Sequence, residues 1–388
     1  MAERRRSLED LGLKMDRFKF FKGKKVLLTG HTGFKGAWLS TILLEAGAEV
    51  TGYALEPPTD PSLFSLLKLN NDMRSITGDV RDGGHLLAVV QETKPEILLH
   101  LAAQPIVRES YRDPVGTYET NVMGTVNVLE AVRKTDSVCS LLNVTTDKVY
   151  KNYEWAWGYR ETDELDGYDP YSNSKSCSEL VTHSYRSSFL KEQGVAVSTA
   201  RAGNVIGGGD FAPDRIIPDC VRAAAKGEKI TVRNPHSTRP YQHVLEPLGA
   251  YLLIAQAQYE NPSLADAYNV GPDDCDCIHT GALADCFCRA WNAGLERGIY
   301  AAARMRAEWE NLSVGGPHEA NFLKLDCSKI RSVLGWKSGW HVSEAVAHTT
   351  EWYQAWLGGA DMRAFTEAQI SAYIIKCGVH QHMDVFYD

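Results

Sequence analysis

From Lys25 onward the chain alternates short apolar runs with amphipathic stretches of helical length. Val26-Leu27-Leu28 is followed by a helical pattern from Ala37 to Glu45, then Val50 to Leu55 and Met73 to Thr77. Further on come Ile97 to Leu101, a long helical stretch from Pro114 to Arg133, Ser140 to Val144, a second from Tyr171 to Lys191, and Val195 to Ala200. Apolar runs without alternation, separated by helix-length segments, predict strands buried on both faces, hence a parallel sheet. The fold class expected is α/β, a Rossmann-type doubly wound parallel sheet. Gly47, Gly194 and Gly227 each follow a helical stretch and suit C-terminal caps.

After Arg201 the texture changes to loops rich in Gly, Asp and Pro, such as Gly207-Gly208-Gly209-Asp210 and Asn234-Pro235-His236. The expected organisation is an N-terminal appendage over residues 1–20, a dinucleotide-binding domain over 21–201, a smaller loop-rich substrate lobe over 202–375 with segments returning to the first domain, and a C-terminal tail over 376–388. At 388 residues with 44% hydrophobic and 23% charged positions the chain can bury a large core, which excludes a disordered or disulfide-stapled class. Its net charge of −8 argues against nucleic acid as a partner. Nine scattered cysteines, no signal-like apolar run and no stretch of membrane-spanning length indicate reduced thiols in a soluble cytoplasmic protein.

The first strand runs into Thr29-Gly30-His31-Thr32-Gly33-Phe34-Lys35-Gly36, which opens a helix. Gly30 permits a tight turn, Gly33 lets a pyrophosphate approach the backbone, and Gly36 lets helix and strand pack closely. A close helix–strand packing alone also needs glycine, so the position after the first strand is what favours a dinucleotide. His31 either touches a cofactor phosphate or fills space. At the end of the second strand, Tyr53-Ala54-Leu55-Glu56 contains no cation to meet a 2′-phosphate, which favours NAD over NADP; the role of Glu56 stays open.

Tyr171 and Lys175 stand at i and i+4, on one helix face. An ammonium there lowers the phenol pKa, so that the phenol can take a carbinol proton as hydride leaves. The strand Ser140 to Val144 ends in Thr145-Thr146-Asp147-Lys148, and strand carboxyl ends face the ligand crevice of such sheets. Simple oxidoreductases need only the Ser/Thr, Tyr and Lys. Asp147 and Lys148 add an acid/base pair for a second proton transfer, or form a structural ion pair. Cys275-Asp276-Cys277, His279 and Cys286-Phe287-Cys288 lack the C-x2-C spacing of structural zinc sites, so no metal is expected.

The G-x-x-G-x-x-G loop, Gly78-Asp79-Val80 and His100-Leu101-Ala102-Ala103 resemble the extended short-chain dehydrogenase/reductases. With Thr145 to Tyr150, Tyr171 to Lys175, Arg201 to Phe211, Asn269 to Asp274 and Leu323 to Lys329 included, residues 20–373 resemble the nucleotide-sugar 4,6-dehydratases. Lysine after Asp147, where the dTDP-glucose branch carries Glu, resembles the branch acting on CDP-D-glucose. The resemblance implies NAD held by Gly30, His31, Gly33, Phe34, Gly36, Asp79, Val80, Leu101, Ala102, Ala103, Tyr171 and Lys175, with Asp79 at the adenine. It implies catalysis by Thr146, Asp147, Lys148, Tyr171 and Lys175, substrate contacts from Gln104, Arg108, Asn204, Arg215 and Arg239, and a homodimer through the helices at 114–133 and 171–191. Another nucleotide-sugar dehydratase, a C4 epimerase of the same superfamily and a non-catalytic NAD(P)-sensing regulator remain as alternatives.

Overall fold

The computed structural model describes residues 16–298, 306–312 and 322–383. Seven strands form the central sheet: β1 (Lys25–Thr29), β2 (Glu49–Ala54), β3 (Arg74–Thr77), β4 (Ile97–His100), β5 (Ser140–Val144), β6 (Ala196–Ala202) and β7 (Ala267–Val270). Their order is β7-β6-β5-β4-β1-β2-β3 and every neighbouring pair is parallel. The chain winds outward from β1 to β3, then returns to β4 beside β1 and winds the other way. That reversal opens a crevice at the carboxyl ends of β1, β4 and β5, where ligands of such sheets sit.

Burial on both sides accounts for the unbroken apolar runs: every residue of β4, β5 and β6 is buried. One face is covered by α1 (Phe34–Glu45) and, later in the chain, α6 (Leu245–Glu260). On the other lie α2 (Gly83–Thr93), α3 (Gly124–Arg133) and α4 (Pro170–Tyr185), which meet the sheet through Leu86, Val90, Val128, Leu129 and Val132. Gly47, Gly194 and Gly227 end their helices at φ +79, +77 and +72, the left-handed conformation expected of them.

The two long helical stretches are interrupted. Between Pro114 and Arg133 the helix widens into a π-helical turn at Glu119–Met123. There Asn121 is buried and bonds Gln104 from both ends of its amide, and Ser174 as well. A second π-helical turn, Arg186–Leu190, extends α4.

The second lobe contains α5 (Ile216–Lys226), α7 (Thr280–Glu296) and α8 (Val342–Leu357), with short two-stranded pairs such as 238–240 against 277–279. Position 201, where the lobes were expected to divide, lies inside β6, and β7 returns to the first sheet. At the termini, Phe18 and Phe21 are buried, and the last helix, α9 (Met362–Met383), runs through position 376. Cys377 is buried and Lys376 bonds Glu344, because this turn packs on the lobe. Residues 1–15 and 384–388 lie outside the described residues.

Candidate active site

The glycine loop has the shape of an anion cradle. Gly30 turns at φ +76, and a Cβ there would lie 2.7 Å from the Ala102 nitrogen; a Cβ on Gly36 would lie 2.1 Å from the Gly30 carbonyl oxygen. Gly33 differs, because its Cβ would meet only the Gly30 oxygen, at 3.4 Å. As the N-cap of α1, Gly33 leaves the first-turn amides with no side-chain acceptor, and no acidic residue stands in that turn. Unsatisfied amides at a positive helix end, beside a face without side chains, fit a dinucleotide pyrophosphate.

The other residues expected around a cofactor divide. Leu101 and Ala102 donate their amides to Thr29 Oγ1, both at 3.2 Å, which holds the end of β4 against the end of β1. Ala103 continues this loop and is half-buried. His31 turns instead toward β2 and β3: its Nε2 lies 2.7 Å from Ser75 Oγ and its ring covers Gly52. Burial draws the imidazole down to about 4, so it is a neutral packing group rather than a cation offered to a phosphate. The Phe34 ring reaches Gly207, and Val80 packs on Gly124. Both carboxylate oxygens of Asp79 accept from Arg81, which holds the acid below the usual range. Glu56, just past β2, accepts from Thr77 Oγ1 at 2.9 Å.

The catalytic candidates converge at the end of β5. Thr146 caps a 3-10 turn over Asp147–Val149, and its hydroxyl donates to Asp147 Oδ1 at 3.0 Å. Asn204, in the left-handed region at φ +42, points its amide nitrogen at Asp147 Oδ2, 3.4 Å away. A Cβ on Gly203 would fall 1.9 Å from that same oxygen, so only glycine admits the carboxylate. Lys148 follows, half-buried, on the same turn.

Asp169 caps α4 through Ser172, Pro170 occupies its first turn, and the helix carries Tyr171 and Lys175 to β5. Lys175 Nζ donates to the Val144 carbonyl at 3.1 Å, and burial draws the ammonium down to about 8 against the pull of Glu179. Tyr171 is pushed up to about 12, by burial first and Asp147 next, while a hydrogen bond with Thr146 and the charge of Arg215 oppose. Lys175 was expected to acidify this phenol; desolvation dominates and raises it instead. Beneath the site, Glu179 accepts from Thr145 Oγ1, from Thr199 Oγ1 at 2.7 Å and from Arg201 at 2.9 Å.

That ion pair accounts for Arg201, a buried strand residue with a fixed partner. Of the expected substrate contacts, Asn204 and Arg215 are at the site, Arg215 pairing with Asp210 at 2.8 Å and acting on Tyr171. Arg108 reaches from the short helix Val107–Arg112 after β4 to Asp214, 3.3 Å, and Arg233 meets the same oxygen at 3.0 Å. Gln104 turns inward, donating to Thr117 Oγ1 at 2.9 Å and accepting from Ile106 N at 2.6 Å, so its amide braces its own loop. Arg239 is buried in the strand 238–240, with Nη1 donating to the Thr238 carbonyl at 2.9 Å.

A family model described as GDP-mannose 4,6 dehydratase matches residues 27–349. The chain belongs to the GDP-mannose 4,6 dehydratase family. A CDP-glucose 4,6-dehydratase of Salmonella typhimurium (strain LT2) is 46% identical over 361 residues, 92% of this chain and 97% of the relative. A dTDP-glucose 4,6-dehydratase of Xanthomonas campestris pv. campestris is 26% identical, over 86% of this chain and 95% of that one. Among solved structures, a dTDP-glucose 4,6-dehydratase of Streptomyces venezuelae holding NAD superposes with a TM-score of 0.72 at 21% identity, covering 86% of this chain and 99% of that one. A UDP-glucose 4-epimerase of Stenotrophomonas maltophila with bound NAD gives 0.74 at 20%, covering 87% and 100%. The chain therefore shares its fold, that of the extended short-chain dehydrogenase/reductases, with both structures.

Two features of this family member escaped the motif reading. Lys35, inside the glycine loop, extends to within 5.9 Å of the Tyr251 ring and is drawn down to about 8 by burial, with Arg215 and Lys175 adding to the effect and Asp147 opposing it. A lysine among three glycines was the available signal. Tyr251 is fully buried, its hydroxyl without a partner, and Asp147 and Tyr171 both act on it. Among the described residues one group could hold a metal ion, Cys275, Asp276 and His341. There Asp276 bonds His341 Nδ1 and the Val342 amide, both at 2.9 Å, and so anchors the start of α8. No helix among the described residues is long and apolar enough to cross a membrane.

Proposed function

We propose that the chain is an NAD-dependent CDP-D-glucose 4,6-dehydratase, a lyase that forms the 4-keto-6-deoxy sugar. The observation that carries this is Asp147 and Lys148 on one turn beside Tyr171 and Lys175, in a chain 46% identical to a CDP-glucose 4,6-dehydratase. An epimerase has no use for an acid and a base at C5 and C6, and a cofactor-sensing regulator has none for Tyr171 with Lys175. The glycine cradle fits NAD, and the absence of cations at the end of β2 favours it over NADP.

Bound NAD supplies the hydride acceptor at C4 and returns the hydride at C6. Tyr171 takes the C4 hydroxyl proton, with Thr146 beside its phenol and Lys175 held on the Val144 carbonyl. The ketone so formed acidifies the C5 proton; Lys148 removes it, and Asp147 protonates the departing C6 hydroxyl. Lys148 then returns its proton to C5 as the hydride arrives at C6. Asn204, Arg108 and Arg215 stand where a sugar diphosphate enters, since a guanidinium grips phosphate in bidentate fashion, while Asp79 and Val80 border the adenine side. Arg239 is a weaker diphosphate contact because it is buried, and Gln104 acts through its loop.

We place the enzyme in the cytoplasm as a homodimer. Nine cysteines with no disulfide among them suit a reducing compartment, and Val115, Met123 and Leu180 are exposed on the helices at 114–133 and 171–191. Incubating the protein with CDP-, dTDP-, GDP- and UDP-glucose, without added reductant, tests the reading by mass spectrometry. Loss of one water from CDP-glucose alone is expected; loss from none of the four would reject a glucose dehydratase.

A further inference from the structure

The loop that leads into α5 is fastened on both sides of one residue. Asp210 is buried; its Oδ1 accepts from Ala212 N at 3.1 Å and its carbonyl accepts from the Tyr353 hydroxyl. Arg222, on α5, donates to the carbonyls of Phe211 and Ala212, both at 3.2 Å. Pro213 follows with a ring-fixed φ, and Arg215 is the N-cap of α5. Between these fixtures Asp214 stands at φ +60, in the left-handed region. A residue with a side chain is strained there, so the anchored ends rather than local preference decide where its carboxylate goes.

It goes to two guanidiniums. Asp214 Oδ1 accepts from Arg108 Nη1 at 3.3 Å and from Arg233 Nη1 at 3.0 Å. Arg108 is carried by the short helix Val107–Arg112, and Arg233 directly follows the strand Ile230–Val232. Each cation is therefore placed by its own element, and the two meet at this oxygen. A guanidinium presents a planar fork of N–H donors, yet among the described residues each of these makes one bond, to Asp214. Neither grips in the bidentate fashion that a phosphate allows. The side chains of Arg108, Arg233 and Asp214 are 35%, 43% and 26% exposed, so the pairs are weak and solutes have access to them. With Arg215 and Asp210, paired at 2.8 Å beside them in the chain, three guanidiniums meet two carboxylates and leave an excess of positive charge.

Resting on the nucleotide-sugar reading of this site, we propose that Arg108 and Arg233 form a fork for the substrate's diphosphate and that Asp214 is a built-in competitor for it. A diphosphate brings more charge and more acceptor oxygens than a single carboxylate oxygen, so it engages the donors that Asp214 leaves unused and displaces the weaker pairs. Binding exchanges one anion for another between the same two cations. Pro213 and the start of α5 fix the backbone of Asp214, so its carboxylate cannot follow the guanidiniums as they turn to the ligand. The competitor lowers the affinity for every anion alike, and thereby sets a threshold that a nucleoside diphosphate passes and a singly charged solute does not.

Calorimetric titration of the full chain with CDP, and with cytidine as the phosphate-free control, tests this. Arg233→Met loses charge-assisted bonds to phosphate and should weaken CDP binding by about 10- to 100-fold while leaving cytidine unchanged. Asp214→Asn keeps a residue suited to the left-handed turn and removes the competing charge, so CDP should bind about 3- to 10-fold tighter. That gain should shrink when D214N is combined with R233M, because Asp214 acts through the guanidinium. Asp214→Gly, also at ease with positive φ, repeats the test should the asparagine chain melt early. CDP affinity in D214N and D214G at or below that of the wild type would overturn the competitor, since the carboxylate would then be a scaffold for the arginines. R233M binding CDP as the wild type does would overturn the fork. A wild type that neither binds CDP nor loses water from CDP-glucose would instead remove the nucleotide-sugar reading itself.

Discussion

Two alanines in the glycine loop should separate folding from cofactor binding. At Gly36 an added Cβ would lie 2.1 Å from the Gly30 oxygen and 2.6 Å from the His31 Cα, both backbone atoms with no flexible end to move aside. Overpacking of this kind costs about 1–3 kcal/mol, offset in part by the helix propensity gained over glycine, about 0.5–1 kcal/mol. At Gly33 the backbone is extended (φ −77, ψ 170), open to any residue, and the methyl would meet only the Gly30 oxygen at 3.4 Å. Stability should therefore change by less than about 1 kcal/mol. That methyl would, however, stand on the face where a pyrophosphate approaches the free amides of α1. Losing one hydrogen bond to a charged group costs about 1.5–3 kcal/mol, or roughly a 10- to 100-fold weaker Kd. Urea unfolding of the cofactor-free proteins and calorimetric titration with NAD measure the two effects separately. Gly33→Ala should melt normally and bind NAD poorly, whereas Gly36→Ala should be the less stable chain. Wild-type NAD affinity in Gly33→Ala would refute the assignment of this loop.

Glu179→Gln should cost about 3–5 kcal/mol in the urea midpoint, because it leaves the buried Arg201 guanidinium without its charge partner; a loss under about 1 kcal/mol would contradict the pair's role. Lys35 and Lys175 are drawn from the ordinary 10.5 down to about 8, so between those values the unfolded chain holds protons that the folded chain does not, and their contribution to stability rises with pH. Buried thiols such as Cys277 and Cys327, pushed up to about 12, work in the opposite direction, so the readout is a comparison. Lys35→Met should exceed the wild type in stability at pH 7.5 by more than at pH 9.5, and an unchanged gap would refute the depressed value. Lys148→Ala should still oxidise C4 but lose C5 deprotonation, lowering turnover by about 10²–10⁴-fold and abolishing deuterium uptake at C5 from D2O; normal turnover with intact NAD content would reject Lys148 as the base.

How far the sequence reached depended on the range of the interaction. The buried strands, the three glycine caps and the Tyr171/Lys175 spacing are properties of consecutive residues, and the structure reproduces them. The pairing of Arg201 was not legible because its partner lies on another element: nothing near it in the chain announces Glu179, which becomes its neighbour only when α4 packs on β6. The inward bonds of Gln104 were hidden for the same reason, since its loop closes on Thr117 and Asn121. The lobe boundary at 201 followed a change of loop composition, and β6 ends one residue beyond it, at Ala202. His31 shows the limit within a motif: its chain position is beside the pyrophosphate amides, yet the Ser75 hydroxyl and the space above Gly52 draw the ring away. The bond from Lys175 on α4 to the Val144 carbonyl at the end of β5 joins distant segments, and only the fold brings it about.

The central claim is that oxidation at C4 and reduction at C6 use one hydride within one sugar. The measurement that reaches it most directly is conversion of CDP-glucose deuterated at C4, with the product analysed by NMR and mass spectrometry. The account predicts a 4-keto-6-deoxy product carrying the deuterium at C6, with no crossover when labelled and unlabelled substrates are mixed. Deuterium lost to solvent, deuterium retained at C4, or exchange between substrate molecules would contradict it.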